Sequence, residues 1–297
     1  MNSGKIGIVT VLYGSEKVLP GFLLSLQNQT YRNFVLYVID NKSPDNSVER
    51  FRQLIADCSF EAILVENDKN DGVARGNNIG IEKALENDCE YVLLSNNDVE
   101  FNSTTLELIL KELILLGADM IAPKIYFYGT DKLWYAGGGF YKKNGHVKHF
   151  GYLEKDSIKY NERKEVKYAP TCFMLIRKNV FKEVGLMDEK YFVYWDDTDF
   201  VWRATKKEKK LWYTPLVTIQ HKESSSTGSQ SNFSIYYLHR NFIYFTLKNH
   251  PVLHTLFFLC VELVYHFSKK IIKLDFAQWK VASKGYMDGI KLYRSGK

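Results

Sequence analysis

Hydrophobic positions in the first 125 residues fall into short continuous runs separated by longer stretches with helical spacing. The short runs are typical of buried strands and cover residues 6–12, 34–39, 62–65, 91–94 and 120–122. Helical spacing covers residues 19–28, 47–56, 73–85 and 104–116. This alternation predicts an α/β fold, with a mostly parallel central sheet and helices on both faces.

The alternation stops after residue 123. Residues 124–170 contain a glycine triplet and scattered tyrosines and lysines, which favour antiparallel strands and a mobile loop between about residues 144 and 165. Strands are expected again at 169–177 and 211–221, and helices at 179–185 and 198–207.

The chain then changes character. A Ser/Thr/Gly-rich stretch at 223–230 is followed by helical patterns at 236–248, 252–274 and 277–293. We therefore predict a first domain over residues 1–225 and a C-terminal helical region over residues 226–297.

The charge is concentrated at the C-terminus. Residues 266–297 carry eight Lys or Arg and two Asp, and eight minus two equals the +6 of the whole chain. The preceding 265 residues are therefore about neutral, which argues against nucleic acid as a partner. The four cysteines are widely spaced, which suits a reducing compartment, and we expect a cytoplasmic protein.

A strongly apolar run at 252–267 precedes Lys269, Lys270 and Lys273. It contains Glu262 and His266 and is shorter than the roughly 20 apolar residues that a spanning helix needs. Residues 252–297 could instead lie on the inner face of an anionic membrane. Packing on the first domain, or on a second subunit in a homodimer, is the alternative.

Candidate chemistry lies in acidic and amide residues at predicted strand ends. Asp196, Asp197 and Asp199 occupy three of four positions, next to aromatic residues. Clustered carboxylates suit a metal, a proton or a hydroxyl-bearing substrate. Two further polar tips, at 40–41 and 96–98, end predicted strands, and such tips converge on one crevice of an α/β sheet.

Six segments in this order resemble the motifs of family 2 glycosyltransferases with the GT-A nucleotide-diphospho-sugar transferase fold. They are the opening strand IVTVLY at 8–13, DNKSPDNS at 40–47, NDGVARGNNIG at 70–80, LSNND at 94–98, VGLMDE at 184–189 with DDTD at 196–199, and the later His221. The resemblance covers about residues 5–225. The branch it resembles includes rhamnosyltransferases of bacterial surface-polysaccharide synthesis.

The resemblance implies an inverting transfer from a nucleotide-sugar donor, dTDP-rhamnose or a UDP-hexose, to a glycan or lipid-linked acceptor. Asp197 is then the general base, since a carboxylate can take the proton of the attacking hydroxyl. Asp98 and His221 are the candidate ligands of Mn²⁺ or Mg²⁺. Asn96 is neutral where many relatives have Asp, which lowers the charge of this site.

Further roles follow from the same resemblance. Asp196, Trp195 and Asp199 are assigned to the acceptor, and Gly137–Gly139 to a hinge near the donor sugar. The nucleotide is assigned to Thr10, Tyr13, Asp40, Asn41, Asn70, Gly72, Asn78, Asn96 and Asn97.

Each assignment has a structural alternative. Asp98 could cap the following helix, and His221 could be a core histidine. Asp40 could stabilise a turn, Asp196 and Asp199 could interact with a helix dipole, and Trp195 could belong to the core. At the level of function, the alternatives are a nucleotidyltransferase on a similar sheet and a catalytically silent carbohydrate-binding or scaffold protein.

Overall fold

A computed structural model describes residues 4–141, 146–222, 231–251, 253–261, 264 and 276–295. Its first half confirms the predicted alternation of strands and helices. The strands are β1 (Ile6–Leu12), β2 (Phe34–Asp40), β3 (Glu61–Glu66) and β4 (Tyr91–Ser95). The helices are α1 (Leu19–Gln27), α2 (Ser47–Ile55), α3 (Gly72–Glu86) and α4 (Thr105–Leu115).

The second half supplies the rest of the sheet. Its strands are β5 (Val99–Phe101), β6 (Met120–Phe127), β7 (Leu133–Tyr135), β8 (Gly138–Phe140), β9 (Val147–His149), β10 (Lys164–Glu165), β11 (Phe173–Arg177) and β12 (Leu211–His221). Its helices are α5 (Lys178–Val184), α6 (Asp196–Lys206), α7 (Asn232–Asn249) and α8 (Phe276–Arg294).

The main sheet has the strand order β10-β12-β6-β11-β4-β1-β2-β3. Strands β4, β1, β2 and β3 are parallel, and so are β6 and β12. β11 runs antiparallel between β4 and β6. Because the parallel strands are buried between helices, they read as continuous apolar runs in the sequence.

The sequence missed β5, which is three residues long and pairs antiparallel with β12. β12 itself shifts register between Thr214 and Thr218, around Pro215, which has no N–H to donate to a neighbouring strand. The pairing brings Val99 opposite His221. Val99 and His221 therefore become neighbours, although they are 122 positions apart in the chain.

The predicted mobile loop at 144–165 is wrong for residues 146–165. They form β9, a 3-10 turn at Ile158–Tyr160 and β10. Lys124 lies under this segment, 2% exposed, and its Nζ donates to Asp156 and to Asn161. A buried ammonium needs such partners, so the ion pair stabilises the segment on the sheet. Residues 142–145 lie outside the described part.

Two hydrophobic cores are present. The large core fills both faces of the main sheet. The second joins the segment before α6 to the C-terminal helices, through Tyr191, Trp195, Phe242, Phe245 and Phe258. α7 is therefore packed against the residues that lead into the acidic cluster.

α7 and α8 pack closely because Gly285 and Gly289 of α8 face α7. A Cβ atom at either position would overlap the α7 backbone at Tyr236 or Arg240. Residues 253–261 are also helical, whereas most of the predicted helix 252–274 and the predicted flexible stretch 223–230 lie outside the described residues. Within the part of the chain that the structure describes, no helix is long and apolar enough to cross a membrane.

Candidate active site

A cleft of about 430 Å³ opens where β1 and β4 end and α3 begins. Seven residues that the sequence assigned to nucleotide or metal line it: Tyr13, Asn41, Asn70, Gly72, Asn96, Asn97 and Asp98. The carboxyl ends of parallel strands are the usual ligand site of an α/β sheet. The structure therefore brings most of the predicted nucleotide set into one cavity.

Two asparagine side chains hold the cleft together. The Asn41 amide donates to the Gly72 carbonyl at 2.8 Å and accepts from Asn67 at 2.9 Å. The Asn97 amide donates to the Val11 carbonyl at 2.7 Å. These bonds tie the ends of β1, β2 and β4 to the start of α3.

Asp98 and His221 come together through the β5–β12 pairing. Nε2 of His221 lies 3.2 Å from Oδ1 of Asp98, and both side chains are largely buried. Burial alone would raise the pKa of the Asp98 carboxyl, but the hydrogen bonds and charge supplied by His221 and Asn96 lower it below its ordinary value. Asp98 therefore carries its negative charge at neutral pH.

The Asp98–His221 pair fits a divalent cation. Two ligand atoms bound at right angles to one cation, each at about 2.1 Å, lie about 3 Å apart. Nδ1 of His221 is buried with no hydrogen-bond partner in the described residues, and Trp134 contacts the ring edge-on at 4.7 Å. No group of three or more His, Cys, Asp or Glu in the described ranges could hold a metal. The described residues thus offer two candidate ligands here.

Asp197 begins α6 and is partly exposed. Oδ2 accepts from the Tyr168 hydroxyl at 2.8 Å, and Oδ1 accepts from the Thr198 amide at 2.6 Å. Burial, together with the charge of Asp197, raises the pKa of the Tyr168 hydroxyl well above its ordinary value. The phenol therefore remains a donor, and the carboxylate is held in one orientation.

Cys172 links the two acidic groups. Its thiol pKa is raised first by burial and then by the charges of both Asp98 and Asp197. The adjacent Thr171 lines the cleft. The Cys172 carbonyl accepts from the backbone amide of Asn96 at 2.8 Å. Residues 168–172 therefore run from the hydrogen bond between Tyr168 and Asp197 to the hydrogen bond between Cys172 and Asn96.

Asp196 lies beside Asp197 but is buried, unlike its neighbour. Its pKa is raised to about 7, because burial and then the charge of Asp197 disfavour ionisation. Two adjacent carboxyl groups with such different environments can differ in protonation at neutral pH. Asp197 is the better placed of the two to act as a base.

Two residues assigned to the acceptor belong instead to the core. Asp199 is fully buried and binds Arg203 at 2.7 Å and Lys248 at 2.9 Å. Trp195 is 8% exposed and packs on Phe242 and Phe245. Neither lines the cleft, and nor does Asp197, but Asp197 is partly exposed whereas both of these side chains are buried.

Three residues assigned to the nucleotide lie behind the cleft. Asp40 accepts from the Ser43 amide and hydroxyl, the latter at 2.6 Å, as in a turn. The Asn78 side-chain amide donates to the Met187 carbonyl and accepts from the Met187 backbone amide. Thr10 is fully buried beneath Asn97. These residues do not line the cavity, because local and long-range hydrogen bonds turn their polar atoms inward.

Part of the predicted strand-edge hinge at Gly137–Gly139 is a strand, as expected. Gly137 has a φ of +96°, which favours glycine, and Gly138 and Gly139 form part of β8, paired with β9. None of the three lines the cleft. Gly72 does so, and its position requires glycine: φ is +86°, and a Cβ would overlap the Phe192 backbone.

Sequence reasoning missed Tyr168 and three hydrophobic residues of the cleft. Phe192, Val193 and Phe233 line it opposite the strand ends. Phe192 also stacks on Tyr237 of α7 at 5.1 Å. Only the aromatic run at 191–195 offered a sequence signal. Phe233 could not be found, because only the packing of α7 brings it to the cleft.

The sheet order, with a cleft at the ends of the parallel strands, is that of the GT-A fold of nucleotide-sugar transferases. The profile of Glycosyl transferase family 2 matches residues 7–185, and the chain belongs to this family.

The curated relatives are distant. The low-salt glycan biosynthesis hexosyltransferase of Haloferax volcanii is 24% identical over 80% of this chain and 73% of its own length. The dTDP-rhamnosyl transferase RfbF of Shigella flexneri is 23% identical over 84% of this chain and 82% of its own length.

Solved structures share the fold. GalNAc-T7, crystallised with UDP, GalNAc and Mn²⁺, superimposes with a TM-score of 0.66 at 15% identity and covers 83% of this chain. This chain spans only 48% of that protein. S. aureus TarS 1–349 in complex with UDP-GlcNAc has a TM-score of 0.60 at 16% identity and covers 97% of this chain and 81% of its own.

Proposed function

We propose that this glycosyltransferase is inverting. It moves a sugar from dTDP-rhamnose or a UDP-hexose to a hydroxyl of a glycan or lipid-linked glycan acceptor. The observation that carries the proposal is the path of residues 168–172 beside the cleft. Tyr168 bonds Asp197, Thr171 lines the cleft, and the Cys172 carbonyl accepts from the backbone amide of Asn96, two residues before Asp98. In this proposal Asp98 serves the diphosphate of the donor, and Asp197 serves the hydroxyl of the acceptor.

Asp197 is the general base in this proposal. Its carboxylate takes the proton of the acceptor hydroxyl as the oxygen attacks the anomeric carbon and the nucleoside diphosphate leaves. Tyr168 and Thr198 keep the carboxylate oriented. Asp196 lies beside the base as a buried carboxyl with a raised pKa, and its role is to adjust the charge of the pair.

Asp98 and His221 are the proposed ligands of Mn²⁺ or Mg²⁺. A cation bound there would stabilise negative charge on the departing diphosphate. Since the described residues offer two candidate ligands, oxygen atoms of the diphosphate would be needed to complete the coordination of a bound cation. Asn96, in place of a third acidic group, keeps the local charge low.

The nucleotide is bound by the cleft residues Tyr13, Asn41, Asn70, Gly72, Asn96 and Asn97. Thr10, Asp40 and Asn78 support them from behind. Their buried hydrogen bonds fix the strand ends and the α3 start that shape the cavity.

The C-terminal region is proposed to bring the enzyme to an anionic membrane on the cytoplasmic side, where a lipid-linked acceptor would lie. Several large apolar side chains there are exposed, namely Leu253, Leu256, Phe257, Val264, Phe276 and Trp279. Lysines 269, 270 and 273 lie between these residues in the sequence. Apolar and basic residues together are typical of interfacial segments. A homodimer contact through the same face is the alternative.

The test is turnover of a panel of UDP- and dTDP-sugars by the purified protein, with and without glycan acceptors. Release of nucleoside diphosphate is expected with at least one donor. Asp197→Asn keeps the shape and removes the proton acceptor, so it should lower turnover by about 10²–10⁴-fold while UDP binding persists. Release of pyrophosphate from a nucleoside triphosphate would support a nucleotidyltransferase instead. Donor binding without any turnover would support a silent binding protein.

A further inference from the structure

The segment Lys190 to Trp195 connects one side of the cleft to the acidic cluster, and its backbone is unusual. Phe192, Tyr194 and Trp195 have φ values of 64°, 61° and 68°. Positive φ is uncommon for residues other than glycine, particularly bulky ones. Such a conformation persists only where surrounding contacts determine it.

Those contacts come mainly from two adjacent side chains of α7. Nδ2 of Asn241 donates to the carbonyls of Tyr191, Val193 and Tyr194, at 2.8, 2.7 and 2.9 Å. Nη2 of Arg240 donates to the carbonyls of Lys190 and Tyr191, both at 2.7 Å.

Two carbonyls of the segment remain: that of Phe192 accepts from the Val73 amide at the start of α3, and that of Trp195 accepts from the Asp199 amide within α6. Every carbonyl from 190 to 194 is therefore bonded, and α7 supplies the donor for four of the five.

The burial and the hydrogen bonds of Asn241 suit it to hold these carbonyls. It is fully buried, and its Oδ1 accepts from Nε of Arg240 at 2.8 Å, which leaves both amide hydrogens for the carbonyls. The Arg240 guanidinium also stacks on Tyr237 at 4.6 Å, and Tyr237 stacks on Phe192. The side chain that lines the cleft and the backbone behind it are thus both held by α7.

We propose that Asn241, supported by Arg240, is a positioning residue for the catalytic segment, and that α7 belongs to the catalytic unit. This inference rests on the proposed function, since it assigns Asn241 to the placement of Phe192, Val193 and the Asp196–Asp197 pair. The predicted domain boundary at 225/226 therefore does not separate a catalytic part of the chain from a non-catalytic part. Asn241 touches neither reacting group and acts only through the backbone of 191–194.

The test compares Asn241→Ala and Asn241→Asp with Tyr236→Phe in the full chain. Tyr236 also lies on α7, but its hydroxyl bonds Asp288 of α8 at 3.0 Å and not segment 190–195. With the best donor of the wild-type protein, kcat should fall about 10- to 100-fold in both Asn241 variants, because small displacements of catalytic groups are costly. The dissociation constant for UDP should change by less than about threefold. Tyr236→Phe should retain wild-type kcat.

Hydrogen exchange gives a readout that does not depend on activity. Backbone amides of residues 193–199 should exchange faster in the Asn241 variants and stay protected in Tyr236→Phe. If Asn241→Ala does not fold, Arg240→Met removes two of the carbonyl bonds, keeps the apolar stem and should show the same pattern more weakly.

Unchanged exchange at 193–199, or a kcat that falls only in proportion to the folded fraction, would overturn the positioning role. If wild type turns over no donor, the proposed function fails, and the exchange measurement still decides whether Asn241 orders the segment.

Discussion

The phenolic oxygen of Tyr168 lies 2.8 Å from Oδ2 of Asp197 and donates a hydrogen bond to it. Tyr168 precedes β11, whereas Asp197 begins α6, and 29 residues separate them. The bond orients the candidate base from below the cleft.

Tyr168→Phe should therefore lower kcat while leaving donor affinity nearly unchanged. A hydrogen bond to a charged group is worth about 1.5–3 kcal/mol, which corresponds to roughly 10- to 100-fold in rate. Steady-state kinetics and UDP binding check this. Tyr213→Phe is the matched control, because its equally buried hydroxyl bonds only the Tyr160 carbonyl and should not affect kcat. Equal losses in both variants would remove Tyr168 from the site.

Asp196 predicts a pH dependence of stability. Its pKa is raised to about 7 by burial and by Asp197, above the value of about 3.9 in an unfolded chain. Between these values the folded state keeps a proton that the unfolded chain has lost. The free energy of unfolding should therefore fall as pH rises from about 4 to about 7, by about 1 kcal/mol per pH unit, and change little from this cause above pH 7.

Urea unfolding at several pH values tests this prediction. Asp196→Asn should flatten the dependence and should not destabilise the protein at pH 8. The exposed Asp131→Asn should retain the wild-type slope. A slope that is unchanged in Asp196→Asn would assign the titration to another group.

Asp199→Ala is expected to act on stability rather than on catalysis. It would remove the fully buried carboxylate that Arg203 and Lys248 share, but Lys248 would keep Asp188 at 2.7 Å, so the expected cost is about 1–3 kcal/mol. Denaturant unfolding measures this cost, and kcat per folded molecule should stay near wild type. Glu154→Ala removes an exposed ion pair with Lys159 and should show no measurable effect. A folded Asp199→Ala protein with selectively lost turnover would restore the acceptor assignment.

Metal binding should depend on the nucleotide. Since Asp98 and His221 are the two ligands available from the described residues, Mn²⁺ should bind weakly to the protein alone and more tightly when UDP is present. Calorimetry with and without UDP measures this coupling. A chelator should abolish transfer, and Mn²⁺ or Mg²⁺ should restore it. Asp98→Ala should lose both the coupling and most of the activity. Full activity in the presence of chelator would exclude a required cation.

Membrane association should depend on the C-terminal charge. Replacing Lys269, Lys270 and Lys273 with Glu should weaken co-sedimentation with vesicles that contain anionic lipid, since each basic residue contributes about 1 kcal/mol at low salt. Transfer to a soluble acceptor analogue should not change. Replacing the exposed Lys155, Lys159 and Lys167 with Glu alters net charge equally and should have little effect. If wild type does not co-sediment, the exposed apolar face is a subunit contact.

The sequence alone determined the architecture of the first half, because strands buried on both faces and amphipathic helices leave distinct periodicities. It also placed Asp98, Asn96 and Asn97 at a strand end and Asp197 at the start of a helix. β5 was not predicted, because three residues are too few to show a periodic pattern of hydrophobic and polar positions.

The tertiary structure decided which polar residues face the cleft. Asp40, Asn78 and Asp199 have the residue types of a binding site, but their hydrogen bonds and ion pairs turn them toward the protein interior. Asp98 meets His221 only because β5 pairs with β12. Tyr168 reaches Asp197, and Asn241 reaches the backbone before it, through contacts between segments remote in the chain. Local sequence records the period of an element, whereas these contacts depend on how separate elements pack.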